Sequence, residues 1–266
     1  MHELETFFVG KLKFRSRLIL GTGKYSSLEL MKDCHEQAEA AMVTVAMQKI
    51  PRESIIKGQV NILDFIDQSK IELLPNTSGA FKAAEVLRMA KIVSAMGINQ
   101  IKIEIMAESK TLFPDPIETV KAVEMIREDS TLANLHLFIY CSDDPILSLK
   151  LFEAGADCIM PAGSAIGSGR GLANPANLKM IRNLLPKGFP LIIDAGIGTA
   201  SDAAMAMELG YDAVLLNSAI ALARDPLQMA EAMKLAVIAG RRAYLSGRIP
   251  EKLYATATSP QTGISK

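Results

Sequence analysis

Short β-type runs, most of them continuously apolar, recur along this chain, each followed by a longer stretch of helical character. Eight stand out: Leu18–Leu20, Met42–Ala46, Ile71–Leu74, Ile101–Ile105, Leu137–Tyr140, Cys158–Met160, Leu191–Ile193 and Ala213–Leu216. An unbroken apolar run is how a strand covered on both faces reads. The centres lie about 20 to 36 residues apart, roughly one strand–helix unit. Eight such units in about 250 residues make the expected size of a (β/α)8 barrel. An open doubly wound sheet would instead carry a GxGxxG turn after its first strand. Gly21-Thr22-Gly23-Lys24 follows that strand but lacks the third glycine in register. The expectation is therefore an α/β fold, a single (β/α)8 TIM barrel over residues 1–266. The tail from about residue 255, rich in Ala, Thr and Ser, is expected to order only with a ligand or partner.

Local signals punctuate the pattern. Asp115-Pro116, Asp144-Pro145 and Asp225-Pro226 read as helix starts, because a carboxylate caps orphan N–H groups and proline has none to lose. Gly97, Gly155, Gly210 and Gly240 read as helix stops, where glycine adopts the left-handed conformation cheaply. Glu153-Ala-Gly155-Ala-Asp157 resembles Glu208-Leu-Gly210-Tyr-Asp212, a weak repeat of helix end, turn and strand that suits a barrel of repeated units.

Composition excludes several classes. Lys plus Arg and Asp plus Glu are both 29, so no basic excess is available to neutralise a nucleic acid. No run of about 18 apolar residues offers a membrane span. Met1 to Arg17 lacks the apolar h-region of a secretory signal. The three cysteines (Cys34, Cys141, Cys158) form no CxxC pair, which fits free thiols in a reducing cytoplasm. Cys141 and Cys158 adjoin apolar strands and read as inert core thiols. The histidines are scattered, so no histidine-rich metal centre is expected. His35 and His136 border element ends and read as surface residues.

Barrel chemistry sits at the carboxyl ends of the strands. Ile101-Lys102-Ile103-Glu104-Ile105 alternates strictly, so Lys102 and Glu104 share one face and the isoleucines the other. In a barrel the two charges face inward; on an open strand they would be solvated. An interior ammonium is costly unless paired, so the lysine pKa is expected to fall toward neutrality; a lysine with appreciable free amine is what imine formation needs. Asp194 ends the seventh strand, followed by Ala195, Gly196 and Gly198. Thr199 or Ser201 is expected to cap the next helix, its free N–H groups facing an anion. Asn217 and Ser218 end the eighth strand, and loops after strands seven and eight form the usual phosphate site of such barrels. Pro161 to Gly171, with four glycines, two serines and Arg170, is a second polar loop able to meet an anion. Leu74-Pro75-Asn76-Thr77-Ser78-Gly79 is a similar turn.

The chain resembles the bacterial thiazole synthase family. The matching motifs are Gly21-Thr-Gly-Lys-Tyr25, Val43-Thr-Val-Ala46, Leu74-Pro-Asn-Thr-Ser-Gly79, Ile101-Lys-Ile-Glu104, Pro114-Asp-Pro-Ile-Glu-Thr119, Tyr140-Cys141 with Asp144-Pro145, Met160-Pro161, Ile166-Gly-Ser168, Asp194-Ala-Gly-Ile-Gly198, Ala213 to Ala219, and Ser259-Pro260 with Thr262-Gly263. No one motif decides; their order and spacing do. The resemblance implies a (β/α)8 barrel that makes the thiazole ring of thiamine. Its substrates are 1-deoxy-D-xylulose 5-phosphate, dehydroglycine (iminoacetate) and the thiocarboxylate of a ubiquitin-like sulfur carrier protein. It implies Lys102 as the Schiff-base lysine and Glu104 and Asp194 as acid/base groups. Sugar-phosphate contacts fall to Gly167, Ala195, Gly196, Asn217 and Ser218. It implies no metal or redox cofactor, and a homotetramer. Departures are Gln48-Lys49 where the family has two basic residues, Phe81-Lys82 in place of a small polar residue, and a long Arg127–His136 segment. An aldolase-type Schiff-base barrel acting on a sugar phosphate shares the fold and the lysine, and a binding homologue without turnover is the non-enzymatic alternative.

Overall fold

The computed structural model describes residues 6–47 and 61–258. Gln48-Lys49 and the motifs from Ser259 onward lie outside them. Eight parallel strands form a barrel. They are β3 (Leu18–Gly21), β4 (Met42–Ala46), β5 (Glu72–Asn76), β6 (Gln100–Ile103), β7 (His136–Cys141), β8 (Cys158–Pro161), β9 (Ile192–Asp194) and β10 (Ala213–Leu216). Neighbours pair in the order β8-β7-β6-β5-β4-β3-β10-β9. Parallel bridges Ile159↔Leu191 and Ala162↔Asp194 close the ring. All eight lie within two residues of the expected runs. Helices α1 (Leu28–Gln37), α2 (Ala83–Ala95), α3 (Pro116–Glu128), α4 (Pro145–Glu153), α5 (Pro175–Leu184), α6 (Ala200–Glu208), α7 (Ser218–Ala221) and α8 (Pro226–Ser246) follow the strands.

Period-two alternation sorts the strand residues into two cores. Leu18, Leu20, Val43, Ile101, Ile103, Ile139 and Val214 pack outward with the helices. Ile19, Met42, Leu74, Phe138, Met160, Ile192 and Leu215 fill the barrel. A feature absent from the strand count closes the bottom. Hairpin β1 (Phe7–Val9) and β2 (Leu12–Phe14) pairs antiparallel and inserts Phe7, Val9 and Phe14 into the interior core. Arg17 ties it down, donating to the carbonyls of Thr6 at 2.7 Å and Asp212 at 2.6 Å. The alternation Phe7-Phe8-Val9 and Leu12-Lys13-Phe14 about Gly10 was the signal for it.

The three Asp-Pro starts behave as expected. Asp115, Asp144 and Asp225 each accept from backbone N–H groups in the first turn. Gly97, Gly155 and Gly210 lie just past helix ends with positive φ. Gly240 does not stop a helix: α8 runs through it to Ser246. Its Cβ would collide with the Ala204 carbonyl of α6, so its smallness serves helix–helix contact.

The internal repeat has a structural counterpart. Asp157 accepts from the Leu137 N–H at 2.7 Å and pairs with Arg127. Asp212 accepts from the Leu191 N–H at 3.0 Å and pairs with Arg182 at 3.3 Å. Each arginine lies in the last turn of its helix and also donates to loop carbonyls. One acid thus satisfies a strand-entry N–H while clamping the preceding helix. The long segment after Arg127 holds a single 3-10 turn, Ser130–Leu132.

Two histidines depart from expectation. His35 is buried inside the barrel wall, its Nε2 at 3.1 Å from the Gly21 carbonyl. Its ring meets Tyr25 edge-on. His136 is half-buried, Nδ1 at 3.7 Å from Asp157. A helix end borders solvent only on its outer side, and the inner face of α1 turns His35 onto β3. The three cysteines are buried and free; burial pushes the Cys141 thiol up to about 12, which makes it inert.

Candidate active site

The inward position of Lys102 follows from β6 register. Ile101 and Ile103 contribute to the outer core, which forces the intervening side chain into the barrel. Lys102 is 4% exposed, Glu104 6% and Asp194 2%, so the reading of a solvated strand face is excluded. The Lys102 Nζ lies 2.7 Å from Asp194 Oδ2 and 3.3 Å from Glu104 Oε2. Tyr140, on β7, presents its ring 5.2 Å from the same ammonium, a cation–π contact strengthened by the dry surroundings. Its hydroxyl is buried without a hydrogen-bond partner, and burial raises its pKa.

Each group is held from behind. Glu104 stands one residue past the end of β6. Its N–H donates to Thr77 Oγ1 at 2.9 Å, and the same hydroxyl donates to the Glu104 carbonyl at 2.9 Å. The polar turn after β5 thereby fixes Glu104. Asp194 is the last residue of β9 and precedes Ala195, which has φ +68°, a conformation costly for a residue with a Cβ.

The electrostatics differ from the sequence expectation. Burial disfavours the Lys102 ammonium, but Asp194 and Glu104 outweigh it and hold its pKa above the usual lysine value. The amine is not predisposed to neutrality in the resting site: the alternation of β6 put Glu104 on its face, but Asp194 at 2.7 Å comes from a distant strand. Asp194 is raised by burial and by Glu104, against the pull of Lys102.

The glycine turns gather beside this cluster. Gly196 has φ +81°, and its Cβ would strike Ser164. The Gly171 N–H donates to the Gly196 carbonyl at 2.8 Å, and the Gly163 N–H to the Asp194 carbonyl at 3.2 Å. The loop after β8 is thus laced onto the turn after β9, bringing Gly167, Ala195 and Gly196 to one end of the barrel. Asn217 and Ser218 follow β10 at the same end. Arg170 is exposed on the loop. The α6 terminus is less open than expected. Thr199 is its N-cap, and Asp202 accepts from the Gly198 and Thr199 N–H groups at 2.9 and 3.1 Å, so those donors are already satisfied. Sequence reasoning overlooked Tyr140 and Thr77 as site residues. The inward parity of Tyr140 on an apolar strand and the strand-end position of Thr77 were the available signals.

The described residues hold no group of three or more His, Cys, Asp or Glu side chains fit for a metal ion, and no helix among them is long and apolar enough to cross a membrane.

Comparison with known proteins shows the family. The chain is similar to the thiazole synthase of Rhodopirellula baltica, 47% identical over 96% of this chain and 91% of the relative. It is 46% identical to that of Myxococcus xanthus, over 97% and 96%. Among solved structures it is similar to an Amycolatopsis orientalis BexX/CysO complex, with TM-score 0.79 and 30% identity, covering 93% of this chain and 98% of that one. The model of the family described as thiazole biosynthesis protein ThiG matches residues 8–260. With that span and an acid-flanked lysine inside a closed barrel, the chain belongs to the ThiG family of thiazole biosynthesis proteins.

Proposed function

We propose that this chain, a thiazole synthase of thiamine biosynthesis, builds the ring on an imine at Lys102. The observation that supports it is the Lys102 Nζ, buried 2.7 Å from Asp194 and 3.3 Å from Glu104. The substrates are 1-deoxy-D-xylulose 5-phosphate, dehydroglycine and a thiocarboxylated sulfur carrier protein.

The resting ammonium must lose a proton before it can attack. Asp194 is the nearest acceptor, and its raised proton affinity narrows the gap with the amine. The neutral amine then adds to the C2 ketone, and water leaves as the imine forms. The imine withdraws electrons, so a carboxylate removes the C3 proton and the carbonyl shifts to C3. Glu104, whose backbone is braced by Thr77, takes that proton in this reading. The carrier thiocarboxylate attacks C3, and acyl transfer leaves sulfur on the sugar and frees the carrier carboxylate. Addition to dehydroglycine and loss of water close the ring. The phosphate, held near Gly167, Ala195, Gly196, Asn217 and Ser218, fixes the reacting carbons by its binding energy.

The solved relative is a complex of two proteins, which supports a protein partner here. A homotetramer, a cytoplasmic location, and one domain over the whole chain belong to the same reading. Borohydride with the sugar phosphate should leave a reduced adduct on Lys102, absent in Lys102→Ala. Supplying thiocarboxylated carrier and dehydroglycine should release thiazole phosphate. Unmodified wild-type protein after borohydride would overturn the imine.

A further inference from the structure

The motif Gly21-Thr22-Gly23-Lys24 has no part in the scheme above, yet the structure carries Lys24 to the phosphate loops. Lys24 follows β3. Its Nζ lies 3.3 Å from the point where a Cβ on Gly167 would stand, and Ser218 Oγ lies 3.8 Å from the same point. Ammonium and hydroxyl thus converge on one side of Gly167, which has φ +71°. Lys24 pairs with no carboxylate among the described residues, and its side chain is exposed.

The backbone beneath it is built for this reach. Lys24 has φ +68°, where glycine would be free of strain and lysine is not. Such an outlier calls for a function of the side chain. The Asn217 Nδ2 donates to the Gly23 carbonyl at 2.7 Å. The Asn217 side chain fills the space above Gly21, where a Cβ would come within 2.9 Å of it. The end of β10 therefore clamps the turn that presents Lys24, and Gly21 makes room for the clamp.

We propose that Lys24 is a substrate-binding residue, its ammonium pairing with the phosphate dianion of the sugar substrate at Gly167 and Ser218. Asn217 is the positioning residue that holds the Lys24 turn. This inference rests on the proposed sugar-phosphate substrate and not on the imine chemistry. Without Lys24, the phosphate loops have only neutral N–H and hydroxyl donors and the exposed Arg170 to meet two negative charges; with it, one charge-assisted contact is built in.

The test separates the two readings by measuring equilibrium binding in Lys102→Ala, where no imine forms. Titration calorimetry with deoxyxylulose 5-phosphate should show Lys24→Met weakening binding about tenfold or more. Binding of unphosphorylated deoxyxylulose should stay unchanged, and Lys24→Arg should remain within about threefold of lysine. Lys24→Gly, which suits the positive φ, gives a second uncharged variant should Lys24→Met not fold. Uncharged variants that bind the phosphate within twofold, or that weaken both sugars alike, would overturn the proposal. Failure of borohydride trapping in the wild type would remove the imine reading and leave this comparison standing.

Discussion

His35 allows the sharpest energetic test. Its Nε2 donates to the Gly21 carbonyl, which fixes the neutral tautomer with the proton there. The Nδ1 is buried without a partner. Protonation would place an unsatisfied N–H and a charge in the wall of the barrel. Burial accordingly lowers the pKa from 6.5 to about 4, against a smaller opposing effect of the Gly21 carbonyl. The sign follows from linkage: the unfolded chain takes up the proton as pH falls through about 6.5, and the folded chain only near 4. The stabilisation is complete above the unfolded pKa and is lost as pH falls between those values. With a shift of this size the loss is about 2 kcal/mol by pH 5 and about 3 kcal/mol by pH 4. Urea unfolding between pH 7.5 and 4.5 should show wild type losing this much more than His35→Gln, whose amide can donate to the same carbonyl and does not titrate. Parallel curves for the two proteins would refute the reasoning.

Three further outcomes follow from other parts of the molecule. Lys102→Met leaves Asp194 and Glu104 facing each other without a cation, so it should cost about 3 to 5 kcal/mol at neutral pH; burial already raises the pKa of Asp194, so stability is regained as pH falls, and calorimetric unfolding should find the variant more stable near pH 5 than at 7.5. Asp157→Ala strands the Leu137 N–H and takes the carboxylate from Arg127, which keeps its bonds to the Gly155 and Leu135 carbonyls; it should cost about 2 to 3 kcal/mol in urea unfolding, whereas a cost below about 0.5 would reduce the clamp to a surface pair. Gly240→Ala gains about 1 kcal/mol of helix propensity yet drives a methyl into the Ala204 carbonyl, and a net loss of stability by thermal unfolding is expected; a rise in Tm would show that α8 moves away from α6 without cost.

Whatever depends on chain neighbours was legible in the sequence. Short apolar runs, most of them unbroken, marked the barrel strands because both faces of each are covered. The strict alternation from Ile101 to Ile105 put Lys102 inside because side-chain direction has period two. Asp-Pro pairs marked helix starts because a cap acts within one turn. The tertiary structure decided what depends on distance through space. Asp194 arrives beside Lys102 from 92 positions along the chain and sets the charge state of the amine, since a pKa responds to every charge and every layer of burial around it. The same holds for His35, whose helix end looked wet until β3 was seen behind it, and for Gly240, whose neighbour across the helix contact is Ala204. Lys24 belongs to this second group as well: the turn was visible, but only closure of the ring brings the end of β3 against the loops after β8 and β10.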